Sequence, residues 1–201
     1  MKSISKLIDD LHESHPSVVN DAMRKLVQKG EKAFAQVESL FLNRIKQIRK
    51  GEPVSPVTEN VIAVMGGMKN PRVLDHLFSA MDKAVEAGSV ILIDAVAEAL
   101  ERLNEKIPFK YYAVLNRALE TAVLEEEYDL TRKMVRLFKL GGDRRTVNVL
   151  RKVRLRKDRS NLSEYLSIIK LSMAVEAAIK TLPKSERPQH WRLEDLLLEW
   201  L

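Results

Sequence analysis

Cysteine is missing from all 201 residues. Its absence excludes zinc–thiolate sites, iron–sulfur clusters and thiol nucleophiles, and removes any reason to place the chain in an oxidising compartment. Aromatic residues are scarce at 5%, and glycine and proline number only seven each, which excludes collagen-like, disulfide-scaffold and low-complexity classes. The longest apolar runs, 61–65 and 90–93, fall far short of the ~20 residues of a membrane span. Asp9 and Asp10 interrupt what would have to be the hydrophobic core of a secretion signal. The chain is therefore expected to be soluble and cytoplasmic, with no membrane partner. What is present points one way: 45% apolar and 31% charged residues favour long amphipathic helices, in one domain or one short array of repeats.

Strand signals are nearly absent. Period-2 alternation occurs only at 153–156, and no Asn-Gly or Asp-Gly hairpin turn appears. Start and stop signals predict a chain of eleven helices. The first covers 3–14, with Ile4, Leu7, Ile8 and Leu11 on one face. Pro16 opens the second, which Gly30 closes after Val19, Met23, Leu26 and Val27. The third begins at Glu31 and buries Phe34, Val37, Leu40, Phe41, Ile45 and Ile48; the stretch 51–56 is the clearest short loop after it.

An internal repeat organises these helices. Gly30, Gly67, Asn104 and Gly141 stand 37 residues apart, each where one amphipathic pattern ends and another begins. Glycine, and next asparagine, best tolerate the left-handed conformation that ends a helix. Four residues before each lies Leu26, Ala63, Leu100 or Leu137, on the expected buried face. Seven and ten residues after come Val37 and Leu40, Leu74 and Leu77, then Tyr111 and Val114; the fourth copy, Val147 and Leu150, is one residue short. A two-helix unit of this length is that of an α-solenoid. The expectation is an all-α, right-handed superhelix: an N-terminal helix at 1–15, four repeats over 16–157, and an atypical cap over 160–201. In the cap, a long helix with Leu162, Leu166, Ile169 and Met173 ends at Pro183. The final eleven residues then place Leu193, Leu196, Leu197 and Trp200 on one face.

The segment 64–77, with Gly66-Gly67, Asn70-Pro71 and then Val73, Leu74 and Leu77, resembles the helix–turn–helix of HEAT repeats. More narrowly it is similar to the short kind first named for phycobilisome lyases, in which a helix ends in Leu-Gly and a Gly-Asp-Pro-like turn follows. The segment 11–22 resembles the turn between such repeats, and Leu140-Gly141-Gly142-Asp143 repeats the first pattern. Val19 stands where that family usually has arginine. The resemblance covers roughly 1–157 and implies a HEAT-like superhelix, the fold of many binding scaffolds.

Catalytic chemistry is thinly represented. His12 and His15 with Asp9 have a spacing that brings imidazoles and a carboxylate together near a helix end, but no third strong ligand and no His-Glu-x-x-His motif accompanies them. A solvated helix terminus accounts for them equally well. Carboxylate clusters at Asp9-Asp10, at Glu98 with Glu101, and at 125–127 are ordinary on outward helix faces. Gly66-Gly67 and Gly141-Gly142 lack the Gly-Lys-Ser/Thr of a phosphate loop. No catalytic residue, metal or cofactor is expected.

Charge distribution is the exception. Between 132 and 159, twelve basic residues face only Asp143 and Asp158, so the segment carries +10 of a chain whose net charge is +6. The candidate binding residues are Arg144, Arg145, Arg151, Lys152, Arg154, Arg156, Lys157 and Arg159, with Arg117 of the preceding repeat. In a solenoid the second helix of each repeat usually lines the concave face, which would bring Arg117, Arg144, Arg151 and Arg154 onto one surface. The function expected is a non-catalytic scaffold holding a macromolecular partner, in the first place a protein. The alternative is a nucleic-acid-binding HEAT-like protein, glycosylase-like in its extreme form, gripping a phosphate backbone through the basic segment. The aromatics available for base stacking are Tyr111, Tyr112, Tyr128 and Tyr165, each of which serves a core equally well.

Overall fold

A computed structural model describes residues 2–125 and 127–138. Among them every regular element is helical and no strand occurs: α1 (Ile4–Asp10), α2 (Pro16–Lys29), α3 (Glu31–Lys46), α4 (Pro56–Gly67), α5 (Val73–Ala87), α6 (Val90–Leu103), α7 (Tyr112–Leu124) and α8 (Tyr128–Leu137), with a single 3-10 turn at Phe109–Tyr111. The helices expected beyond 138, the turn at Gly141 and the C-terminal cap lie outside the described residues. The chain divides into two compact units, Met1–Asn104 and a second beginning at Glu105.

Local chemistry explains most boundaries. The Ser3 hydroxyl accepts the Lys6 amide at 3.1 Å and starts α1, and proline occupies the first turn of α2 and of α4, where its missing donor costs nothing. The Ser89 hydroxyl accepts the Leu92 amide at the head of α6. Gly30, Gly88 and Asn104 end α2, α5 and α6 with φ of 52°, 65° and 51°. Helices α1 and α3 stop at Asp10 and Lys46, a few residues before the ends expected from apolar periodicity alone.

In the first unit α4 is the central element. It packs against α2, α3, α5 and α6, while α5 also packs on α6 and α1 lies against α2 and α3. Having neighbours on several sides explains why α4 buries Val61, Ile62, Val64 and Met65 rather than a single stripe. Phe34, Phe41, Phe78, Leu26, Leu77 and Met81 complete the core.

The 37-residue positions hold as helix ends, since Gly30, Gly67 and Asn104 close α2, α4 and α6. Gly67 corrects the reason. It is not left-handed; it is glycine because α4 passes so close to α2 that a Cβ there would stand 2.7 Å from a Val27 methyl. Gly66 is tighter still, its Cβ position lying 2.6 Å from the Cβ of Ala99 in α6. The third copy is also out of phase. Pro108 and the 3-10 turn delay α7, so Tyr111 and Val114 are half-buried and Leu115, Ala118, Leu119 and Ala122 form the buried face instead. In this second unit α7 packs against α8.

Candidate functional site

Of the expected binding residues, Arg117 is exposed on α7. Arg144, Arg145, Arg151, Lys152, Arg154, Arg156, Lys157 and Arg159 lie outside the described residues. The front of the basic segment, Arg132, Lys133 and Arg136, sits on α8, where Arg132 pairs with Asp129 one turn earlier at 3.0 Å.

An aromatic cluster at the start of α7 was only partly legible in the sequence. Phe109 is 74% exposed, stands edge-on to Tyr112 with ring centroids 5.4 Å apart, and adjoins Lys110, whose ammonium lies 4.6 Å from the centre of the Tyr111 ring. The signal that marks Phe109 is its place just after Pro108, at the end of a loop rather than on an apolar helix stripe.

The histidines do not converge. His15 Nδ1 lies 2.9 Å from the Ser17 hydroxyl, whereas His12 Nδ1 lies 3.4 Å from Nη2 of Arg44. No group of three metal-ligating side chains occurs among the described residues. Asp10 is also engaged: its nearly buried carboxylate takes Lys2 at 2.7 Å and Lys6 at 3.4 Å, and the Lys2 hydrogen bond holds its pKa below the ordinary value. Glu98 pairs with Arg102 one turn along α6. His76 serves a bridge instead. Its Nε2 meets Glu38 Oε1 at 2.7 Å, Arg72 reaches the same oxygen at 3.1 Å while lying 5.0 Å over the Phe34 ring, and Asn70 donates to Glu31 at 3.0 Å. These pairs tie α3 to α5 and the turn before it.

Two cavities open in the first unit. One, of about 600 Å³, is walled by the α3–α4 and α5–α6 connections and includes Arg44, Arg49, Ser55, Thr58, Gly88 and Ser89. The other, of about 590 Å³, is lined by Leu11, His12, Pro16, Val19, Pro56 and Asn60 among others. Asn60 closes part of that wall by donating to the Leu11 carbonyl at 3.2 Å.

No protein-family model, curated protein or solved structure matches the chain. Its own residues therefore carry the functional argument. In the first unit, the bridged carboxylates Asp10 and Glu38 are committed to cations and hold helices in place. The raised pKa of Glu59 has an equally local cause, burial first and the Asp94 charge second. No helix among the described residues is long and apolar enough to cross a membrane.

Proposed function

We propose that the protein is a non-catalytic binding scaffold: a right-handed, HEAT-like α-solenoid of about four two-helix repeats, holding a protein partner on its concave surface. The observation that supports this reading is the shared placement of Gly30, Gly67 and Asn104 at the ends of α2, α4 and α6, with α4 packed between α2 and α6. Consecutive repeats that stack on one another bury a continuous core and leave an extended surface for binding. The basic segment supplies charge for an acidic partner, and such complementarity acts on encounter rate and specificity.

The second reading, a nucleic-acid binder, draws on the exposed Phe109, on Lys110 next to it in the chain and on the exposed Arg117 of α7, all in the unit whose sequence holds the basic segment. Exposed rings beside cations offer stacking and phosphate contacts together. One experiment separates the two. Labelled duplex and single strand are titrated at about 50 and 200 mM salt, the range over which counterion release weakens phosphate binding steeply. The scaffold reading expects weak binding, indifferent to strandedness, that vanishes at the higher salt. It also expects Arg151→Glu with Arg154→Glu to abolish a partner captured from the native host and identified by mass. Tight single-strand binding that survives the higher salt and falls on Phe109→Ala would establish the nucleic-acid reading instead.

A further inference from the structure

Arg44 is a half-buried guanidinium with no carboxylate beside it. Its Nη1 reaches Gln47 Oε1 at 3.3 Å and its Nη2 reaches His12 Nδ1 at 3.4 Å, both long contacts to uncharged or weakly basic atoms. Its Nε is buried with no acceptor at all. Several other cations of this unit are matched: Lys2 and Lys6 have Asp10, Arg24 and Lys25 have Asp21, Arg72 has Glu38 and Arg102 has Glu98. A guanidinium drawn partly out of water without a counter-charge is costly, and an unsatisfied buried donor calls for a physical reason.

The reason lies in what Arg44 faces. It lines the cavity of about 600 Å³ between the α3–α4 and α5–α6 connections, together with Arg49, whose guanidinium donates to the Lys46 and Ile48 carbonyls and likewise has no carboxylate partner. Lys46 and Lys50 add charge on the same stretch of chain, against which only Glu52 stands. Ser55 and the buried Thr58 are among the lining residues, and the Ser55 side chain caps no backbone amide of α4. The volume is in the range of small-molecule pockets, which combine a shaped cavity with a few convergent polar groups.

We infer that this cavity is a binding site for a small oxyanion-bearing molecule, a phosphate ester or a carboxylate, whose charge is met by Arg44 with Arg49 at the mouth and whose oxygens accept from the Ser55 and Thr58 hydroxyls. Guanidinium is suited to the role because its planar fork of donors matches the geometry of both groups. The site draws on residues of the first unit alone and is independent of the macromolecular reading above.

The test is calorimetric titration of the full chain with inorganic phosphate and, separately, with citrate, each at ionic strength matched by sodium chloride. A saturable, single-site isotherm with at least one of the two is expected. Arg44→Gln should weaken it at least tenfold, and Arg102→Gln, which removes an arginine already paired with Glu98, should leave it unchanged. Ser55→Asp puts another residue favoured at helix N-caps at the head of α4 while placing a resident carboxylate on the cavity wall. It should abolish binding without lowering the melting temperature, and it decides the matter where Arg44→Gln folds poorly. Phosphate alone binding assigns a phosphate ester, citrate alone a carboxylate ligand. Heats that do not saturate for either anion, or binding that persists unchanged in Ser55→Asp, would overturn the assignment.

Discussion

A Cβ placed on Gly66 would stand 2.6 Å from the Cβ of Ala99 and 2.7 Å from its Cα, so α4 and α6 meet backbone to backbone at this point. Such an approach leaves no flexible side chain to move aside. Gly66→Ala should therefore force the two helices apart and destabilise the protein by about 1–3 kcal/mol, the usual cost of overpacking a tight core. Gly67→Ala is the internal comparison. Its new methyl would meet the side chain of Val27, 2.7 and 3.1 Å from the γ-methyls and 3.5 Å from Cβ, and none of these nearest atoms is backbone, so it should cost less. Thermal unfolding followed by circular dichroism checks the order, and equal losses would contradict the backbone contact.

Asn104 is the one non-glycine residue with positive φ among the described residues, at 51°, and its amide reaches back to the Leu100 carbonyl at 3.1 Å. Asparagine tolerates that region; a β-branched residue does not. Asn104→Val should lose about 1–2 kcal/mol, whereas Asn104→Gly should be close to neutral. A melting temperature left unchanged by the valine would remove the left-handed helix end from the account.

Two carboxylates carry opposite pH signatures. The Lys2 hydrogen bond lowers the pKa of Asp10 against the opposing effect of burial, with Lys6 adding to it. Its contribution to stability is present above the ordinary carboxylate value, near about pH 4, and is lost as pH falls through the lowered folded value. Asp10→Asn should thus melt earlier than the parent at neutral pH and converge with it in acid. Glu59 behaves in reverse, because burial and then Asp94 raise its pKa. The folded state holds its proton longer than the unfolded chain does, so stability declines as pH rises through the glutamate range. Glu59→Gln should raise the melting temperature at neutral pH, with a gain that shrinks below about pH 4. Melting curves of both variants between acid and neutral pH check the signs, and a Glu59→Gln gain that grew on acidification would refute the argument.

The sequence by itself determined the all-helical class of the described residues and the places where three helices end. Apolar spacing, prolines in first turns and a 37-residue recurrence are local facts, and local facts decide where a helix forms. Arg117, expected from the sequence as a binding candidate, is exposed on α7. What local facts did not determine is why a residue has its identity when the cause sits in another helix. Gly67 read as a left-handed turn residue like Gly30, yet it is glycine because Val27 passes close by. Nothing along the chain marks His76, yet it closes a bridge to Glu38 of α3. The cavity beside Arg44 is likewise invisible along the chain, because its walls come from two connections that adjoin only once α3, α4, α5 and α6 have packed. Helix formation is a matter of neighbours three and four residues apart. Close approach, ion pairing and enclosed space depend on which helices come together, and those only tertiary packing decides.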